Sequence, residues 1–311
     1  AVDAMSGHGL SLEAVVDVAL DRVRIAQQGG GSGFDAVHAR DLHGPLTITH
    51  GAFTGASDDV LDVEARDAQV VVTHSTVGGS ASGAAGNDGL RLTAGGNAVT
   101  LRLADSSFTQ MAGDGLQVTT GSPDAEVRVD VELTNVRFHD SRTGGQALAV
   151  DATGASRVQV TAMTLDTVDG GGGVVLGARH AARVAAHLGG RVAGTTPDMP
   201  ALLASTDDDG VVDIRALDVQ APAGAPVLLV EAFKRGHVRA DCRRVHRASP
   251  PVGADVVVAM AQGPGVCLVL RPPLLVAIDE AVSGSVQVAP PPPPHATAHV
   301  QPVSECPDDP E

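Results

Sequence analysis

The chain has 311 residues with no tryptophan, no tyrosine and five phenylalanines. Proteins that grip sugars commonly stack them on aromatic faces, so this lack weighs against a glycan-binding cleft. Lysine occurs once, at Lys234, and the 21 basic residues face 37 acidic ones, a net charge of −16. Nucleic acid and anionic membrane surfaces need basic patches, so neither is an expected partner. A polyanionic polysaccharide would also be repelled unless calcium bridged it. Three cysteines, an odd number, imply no disulfide framework. No apolar run reaches the roughly 18 residues of a membrane-spanning helix, and the aromatic girdles of an outer-membrane barrel are missing. Residues 1–9 carry no charged-then-apolar leader.

What is abundant is a repeat. Leu90-Arg91-Leu92-Thr93-Ala94 turns at Gly95-Gly96-Asn97, continues as Ala98-Val99-Thr100-Leu101-Arg102-Leu103, passes Phe108 and turns at Gly113-Asp114-Gly115. The pattern then restarts at Leu116. One inward position per unit gives the series Leu10, Asp35, Leu61, Leu90, Leu116, Leu148, Val174, Leu202, Leu228, Val257 and Val286. Asp35 breaks the apolar rule, and Phe34 is expected to take its buried place. Alternation with period two, as in Leu61-Asp62-Val63-Glu64-Ala65, marks strands with one buried face. A second strand follows, as in Val127, Val129, Val131 and Leu133, or Val158, Val160 and Ala162. Glycine, aspartate and asparagine punctuate the turns. Such a unit cannot bury its apolar side alone, and stacking does so. The expected fold is therefore all-β: a right-handed parallel β-helix solenoid of about ten coils, the mean coil being near 28 residues, (286 − 10)/10.

Phe108-Thr109-Gln110-Met111-Ala112-Gly113-Asp114-Gly115-Leu116 resembles the Phe…Gly-Asp-Gly-Leu junction of many secreted β-helix repeats. Phe138-His139-Asp140-Ser141-Arg142-Thr143-Gly144-Gly145-Gln146-Ala147-Leu148 is similar to the repeats of polymorphic outer-membrane proteins and autotransporter passengers. The resemblance is thus to the right-handed, pectate-lyase-like parallel β-helix superfamily, over residues 9 to 289. It implies an extracellular or cell-surface bacterial protein, and it covers both enzymes and adhesins, so function must come from a site. The near-absence of lysine, with valine and alanine favoured over isoleucine, is associated with GC-rich bacterial genomes.

On the first-strand face, Glu13, His38 and Glu64 are expected to stack, with Asp62 two residues before Glu64 and Arg91 nearby. Carboxylates beside a histidine suit acid–base chemistry or calcium. They form the site of the alternative function, a calcium-assisted polysaccharide lyase or glycoside hydrolase, which needs two carboxylates at a controlled separation. The competing expectation is a solvated polar face with no catalytic residue. His43, His50 and His74 share no ligand spacing and read as surface histidines. Asn87-Asp88-Gly89 and Gly113-Asp114-Gly115 read as turns, and Asp207-Asp208-Asp209-Gly210 is the best calcium candidate. Thr93 and Thr119, with Gln117 and Asp151, make too short a threonine ladder for a flat ligand.

From Val174 onward the first strands become apolar on both faces, placing Val175, Leu203, Leu229 and Val258 in one outward column. A patch of this kind is rarely left in water, so another domain, a subunit or the chain's own tail should cover it, with a surface glycan as a further partner. Cys242 should point inward and Cys267 outward, leaving Cys267–Cys306 as the pairing to test against three free thiols. Pro290–Pro294 end the repeat, so the expected domains are 1–289, a β-helix lacking its N-terminal cap, and 290–311, a Pro-rich acidic tail. The leading expectation is a non-catalytic secreted or cell-surface scaffold, stalk or adhesin-like module with no cofactor.

Overall fold

The computed structural model describes residues 2–5, 7–28, 33–78, 88–121, 126–139, 145–168, 172–194, 199–221, 227–242, 245–247, 257–262 and 266–270. The backbone winds through stacked parallel coils. Each coil contributes one strand to a ten-stranded sheet, and that sheet runs in chain order from Leu10–Glu13 through Leu61–Arg66, Leu90–Gly95 and Leu116–Thr120 to Val257–Gln262. The other two strands of each coil belong to a fifteen-stranded sheet. In the early coils they are separate, as Gln69–Thr73 and Thr76–Gly78; from Ala98–Thr109 to Val211–Ala221 they run together as single bent strands such as Arg128–His139 and Arg157–Val168, and they part again as His237–Cys242 and Val245–Arg247.

The bend between second and third strands is made by one residue in the left-handed backbone region: Arg22, His50, His74, Asp105 and Asn135, with φ of 54°, 54°, 49°, 48° and 52°. Asparagine, aspartate and histidine tolerate this region better than most residues. The Asn135 amide also donates to the Asp105 carboxylate at 2.7 Å, tying successive bends together. His50 and His74 are exposed on these bends and stack with centroids 5.3 Å apart. At the bend after the first strand, the carboxylate of Asp67 accepts the backbone N–H groups of Asn97 at 2.7 Å and Ala98 at 3.1 Å, one coil on.

Inside, the columns are Leu, Val and Ala from the first and second strands, and Ile25, Phe53, Val77, Phe108 and Phe138 from the third. Phe108 and Phe138 stack with centroids 5.1 Å apart. Their rings explain the glycine of the junction motif: a Cβ on Gly89 would meet the Phe108 ring at 2.7 Å, and one on Gly115 would collide with Phe138. Among the described residues no helix is long and apolar enough to cross a membrane.

Two sequence expectations need correction. The count of about ten coils is slightly high for closed turns, because the last pair, Val257–Gln262 and Val266–Leu270, has no third strand among the described residues. The inward position of the second coil is Val37, not Asp35: Leu10 pairs with Val37, and Val37 with Leu61, so the spacings there are 27 and 24. From Leu61 through Leu90, Leu116, Leu148, Val174, Leu202 and Leu228 to Val257 the register is as expected. Val286 and the tail beyond Ala289, including Pro290–Pro294 and Cys306, lie outside the described residues.

Candidate functional site: the outward face of the ten-stranded sheet

Because the coils stack in register, outward side chains form columns. One begins Ser11, His38, Asp62, Arg91 and Gln117. The same column continues through Ala149, Val175, Leu203 and Leu229, and by register Val258. Three of the charged candidates, His38, Asp62 and Arg91, and the apolar patch, expected as two features, are therefore two halves of one column. Val175, Leu203 and Leu229 are each only half-buried against one another and their neighbours.

The expected stack of Glu13, His38 and Glu64 does not form. Glu13 pairs with Arg40, and His38 sits between Ser11 and Asp62. The cause is the two-residue frame change at Val37 together with an irregular register between Ala39 and Leu42. Glu64 instead lies beside Thr93 in the next column, 3.9 Å from the Arg40 guanidinium. It lines a groove of about 290 Å³ with Arg66, Thr93, Gly95, Gly96 and Gly121. Thr93 and Thr119 hydroxyls meet at 3.3 Å, a two-rung ladder.

The structure brings His38 and Asp62 together with two residues that sequence reasoning did not single out as a site, His8 and Asp35. His38 Nδ1 lies 2.8 Å from Asp35 Oδ2 and 3.0 Å from Asp62 Oδ2. His8 Nδ1 accepts the Asp35 backbone N–H at 3.1 Å and stands 3.2 Å from the same Oδ2. The two imidazoles stack, with centroids 4.4 Å apart and planes 15° from parallel. Burial, and then the neighbouring His38, lower the pKa of His8, which fits a neutral ring whose Nδ1 accepts. Asp35 is buried and its carboxyl is pushed up to about 7, first by desolvation and then by the Asp62 and Asp58 charges. A proton on that carboxyl removes the repulsion between its oxygen and the His8 lone pair. Asp62 is also raised by desolvation, against the pull of His38 and Arg91.

Asp35 is also the first rung of a buried carboxylate ladder. It accepts the Asp59 backbone N–H, Asp59 accepts that of Asp88 at 2.9 Å, Asp88 that of Asp114 at 2.7 Å, and Asp114 that of Gln146 at 2.7 Å. Desolvation pushes Asp59 and Asp88 up to about 7 and raises Asp114. Arg91 reaches Asp59 at 3.7 Å, the counter-charge nearest the ladder. The turns at Asp88-Gly89 and Gly113-Asp114-Gly115 thus do more than reverse the chain: each aspartate satisfies the next coil's backbone donor in the interior.

The triple aspartate meets cations of the protein itself. Lys234 Nζ lies 2.7 Å from Asp208 and 3.2 Å from Asp207, His180 lies 3.1 Å from Asp208, and Arg235 lies 2.6 Å from Asp209. Its Lys234 and His180 partners hold the Asp208 carboxyl below the usual range. Any calcium ion at Asp207, Asp208 and Asp209 would compete with this lysine for the same oxygens. Cys242 is buried, and desolvation pushes its thiol up to about 12. Cys267 pairs by register with Arg239, one coil away from the Cys242 strand.

Compared with protein-family models, with curated proteins and with solved structures, the chain matches none.

Proposed function

We propose that the chain is a non-catalytic scaffold of a bacterial secreted or cell-surface protein. It would be a stalk or adhesin-like module of the right-handed, pectate-lyase-like kind, with repeats like those of autotransporter passengers. The observation that carries this reading is how the charged candidates of the first-strand face are engaged. His38 sits between Asp35 and Asp62, Arg91 lies against buried Asp59, and Arg40 approaches Glu64. Groups tied to one another across coils serve cohesion, whereas acid–base catalysis needs a carboxyl free to meet substrate. The right hand is part of this proposal, supported by the preference of crossovers between parallel strands of one sheet for that hand. The apolar half of the column, Val175, Leu203, Leu229 and Val258, is the surface on which another domain, a second subunit or the segment beyond Ala289 would pack.

The test is a degradation assay on neutral and acidic polysaccharides, with and without calcium, for the wild type and Glu64→Ala. No new reducing or unsaturated ends in any condition is the expected result. Products that appear with the wild type and vanish in Glu64→Ala would establish the lyase or hydrolase alternative and reject the scaffold.

A further inference from the structure

We propose that His8, Asp35 and His38 form a binding site for a divalent transition metal of the zinc class, clamping the first two coils together. Their ligand atoms, two imidazole nitrogens and one carboxylate oxygen, all lie within 4.8 Å of one another. The shortest approaches, 2.8 and 3.2 Å from Asp35 Oδ2 to the two Nδ1 atoms, are close to what coordination demands. Ligands about 2.0 Å from a tetrahedral zinc stand roughly 3.3 Å from each other. The two rings stack nearly parallel, so admitting the ion requires one imidazole to turn out of the stack until both Nδ1 lone pairs converge. Asp62, whose Oδ2 is 3.0 Å from His38 Nδ1, is the adjacent group for the fourth position, and water is the other.

The donor set chooses the metal. Calcium takes six or more oxygens, and two imidazoles would leave it poorly coordinated. Two histidines and a carboxylate suit zinc and its neighbours in the first transition row. Carboxyl oxygens also gather here, with Asp58, Asp59 and Asp62 around Asp35, and of the nearby basic side chains Arg91 faces Asp59 and Arg40 approaches Glu64. Binding would exchange the Asp35 N–H···His8 hydrogen bond for a metal–nitrogen bond.

The location gives the site its role. His8 precedes the first strand of the ten-stranded sheet, Leu10–Glu13, whereas Asp35 precedes and His38 lies within that sheet's second strand, Val37–Leu42. The ion would add a side-chain bridge to the three backbone ladders that join these coils, Leu10–Glu13 on Val37–Arg40, Val18–Asp21 on Leu46–Thr49 and Arg24–Ala26 on Ala52–Thr54. End coils of a solenoid lack a neighbour on one side and need such reinforcement. This inference does not depend on whether the chain degrades polysaccharide.

The experiment titrates Zn²⁺ into the full chain, freed of metal by a chelator, for wild type, His8→Gln and His38→Gln, by calorimetry and by thermal unfolding. One equivalent should bind the wild type and raise its unfolding midpoint. Either variant should bind at least about tenfold more weakly, with the midpoint shift lost. His8 is partly exposed, so His8→Gln tests the site even if buried His38→Gln fails to fold. No Zn²⁺ binding by the wild type would overturn the proposal. Binding of equal strength in His8→Gln would do the same, pointing to thiols or to other histidines.

Discussion

Replacing the Asp88 carboxyl with an amide, Asp88→Asn, should flatten the dependence of stability on pH. The Asp88 carboxyl is buried, and desolvation carries it from 3.8 to about 7. The Asp59 and Asp114 carboxyls facing it push the same way, while the Asp114 backbone N–H and Arg91 pull it down. A carboxyl whose folded pKa lies above its unfolded value favours folding in its neutral form. That contribution is complete below the unfolded pKa, near 4, and is lost as pH rises through about 7. Between pH 5 and pH 8 the loss is on the order of 2–3 kcal/mol for this one group, at 1.36 kcal/mol per unit. The amide of Asp88→Asn keeps an acceptor for the Asp114 N–H and removes the charge. The assay is urea unfolding at pH 5, 6, 7 and 8 with a chelator present, followed by far-UV circular dichroism because the chain has no tryptophan or tyrosine. The wild type should lose on the order of 2–3 kcal/mol more than the variant across that range. Parallel curves, or a wild type that gains stability with pH faster than the variant, would refute the buried-ladder reasoning.

Other perturbations probe the interior. Phe108→Ala removes one of two stacked rings and should cost about 3–5 kcal/mol in the same urea assay. Gly173→Ala would drive a methyl group into the Ala201 carbonyl of the next coil and should lower stability by about 1–3 kcal/mol, read as a drop in the thermal midpoint. The Cys242 thiol, buried and pushed up to about 12, should resist alkylation at pH 8 in the folded chain and react in urea, with the modified position read by peptide mass spectrometry.

The solenoid was readable because one requirement repeats. Each coil needs an aliphatic–x–aliphatic first strand, and Leu61, Leu90 and Leu116 announce it in the same frame. The second coil misled because Asp35 was assigned to the inward column, when it occupies the ladder position two residues earlier. That position was legible too: Asp59, Asp88 and Asp114 each stand two residues before Leu61, Leu90 and Leu116, as His8 stands before Leu10. The histidine–aspartate cluster depends on this frame, so an error of two residues placed His38 beside Glu13 and Glu64 and left out His8 and Asp35. The bends were less legible. Arg22, His50 and Asn135 share a backbone conformation and little side-chain chemistry, and a left-handed φ is visible only in three dimensions. The partners of Asp208 follow from Lys234 lying 26 residues on, one coil, a spacing that carries meaning only once the register is known.

The clamp at His8 and the apolar half-column both exist only if the coils stack in this register, and distances along the outward column test that most directly. Ser11 reaches Gln117 in four inter-coil steps, through His38, Asp62 and Arg91, and Leu229 in eight. At about 4.8 Å per step the backbone separations are roughly 19 and 38 Å. Spin labels on paired cysteines at 11 and 117, and at 11 and 229, with Cys267 and Cys306 changed to serine, read both by pulsed electron–electron resonance. The stacked register predicts a second distance about twice the first. Two similar distances, or a second shorter than the first, would contradict it.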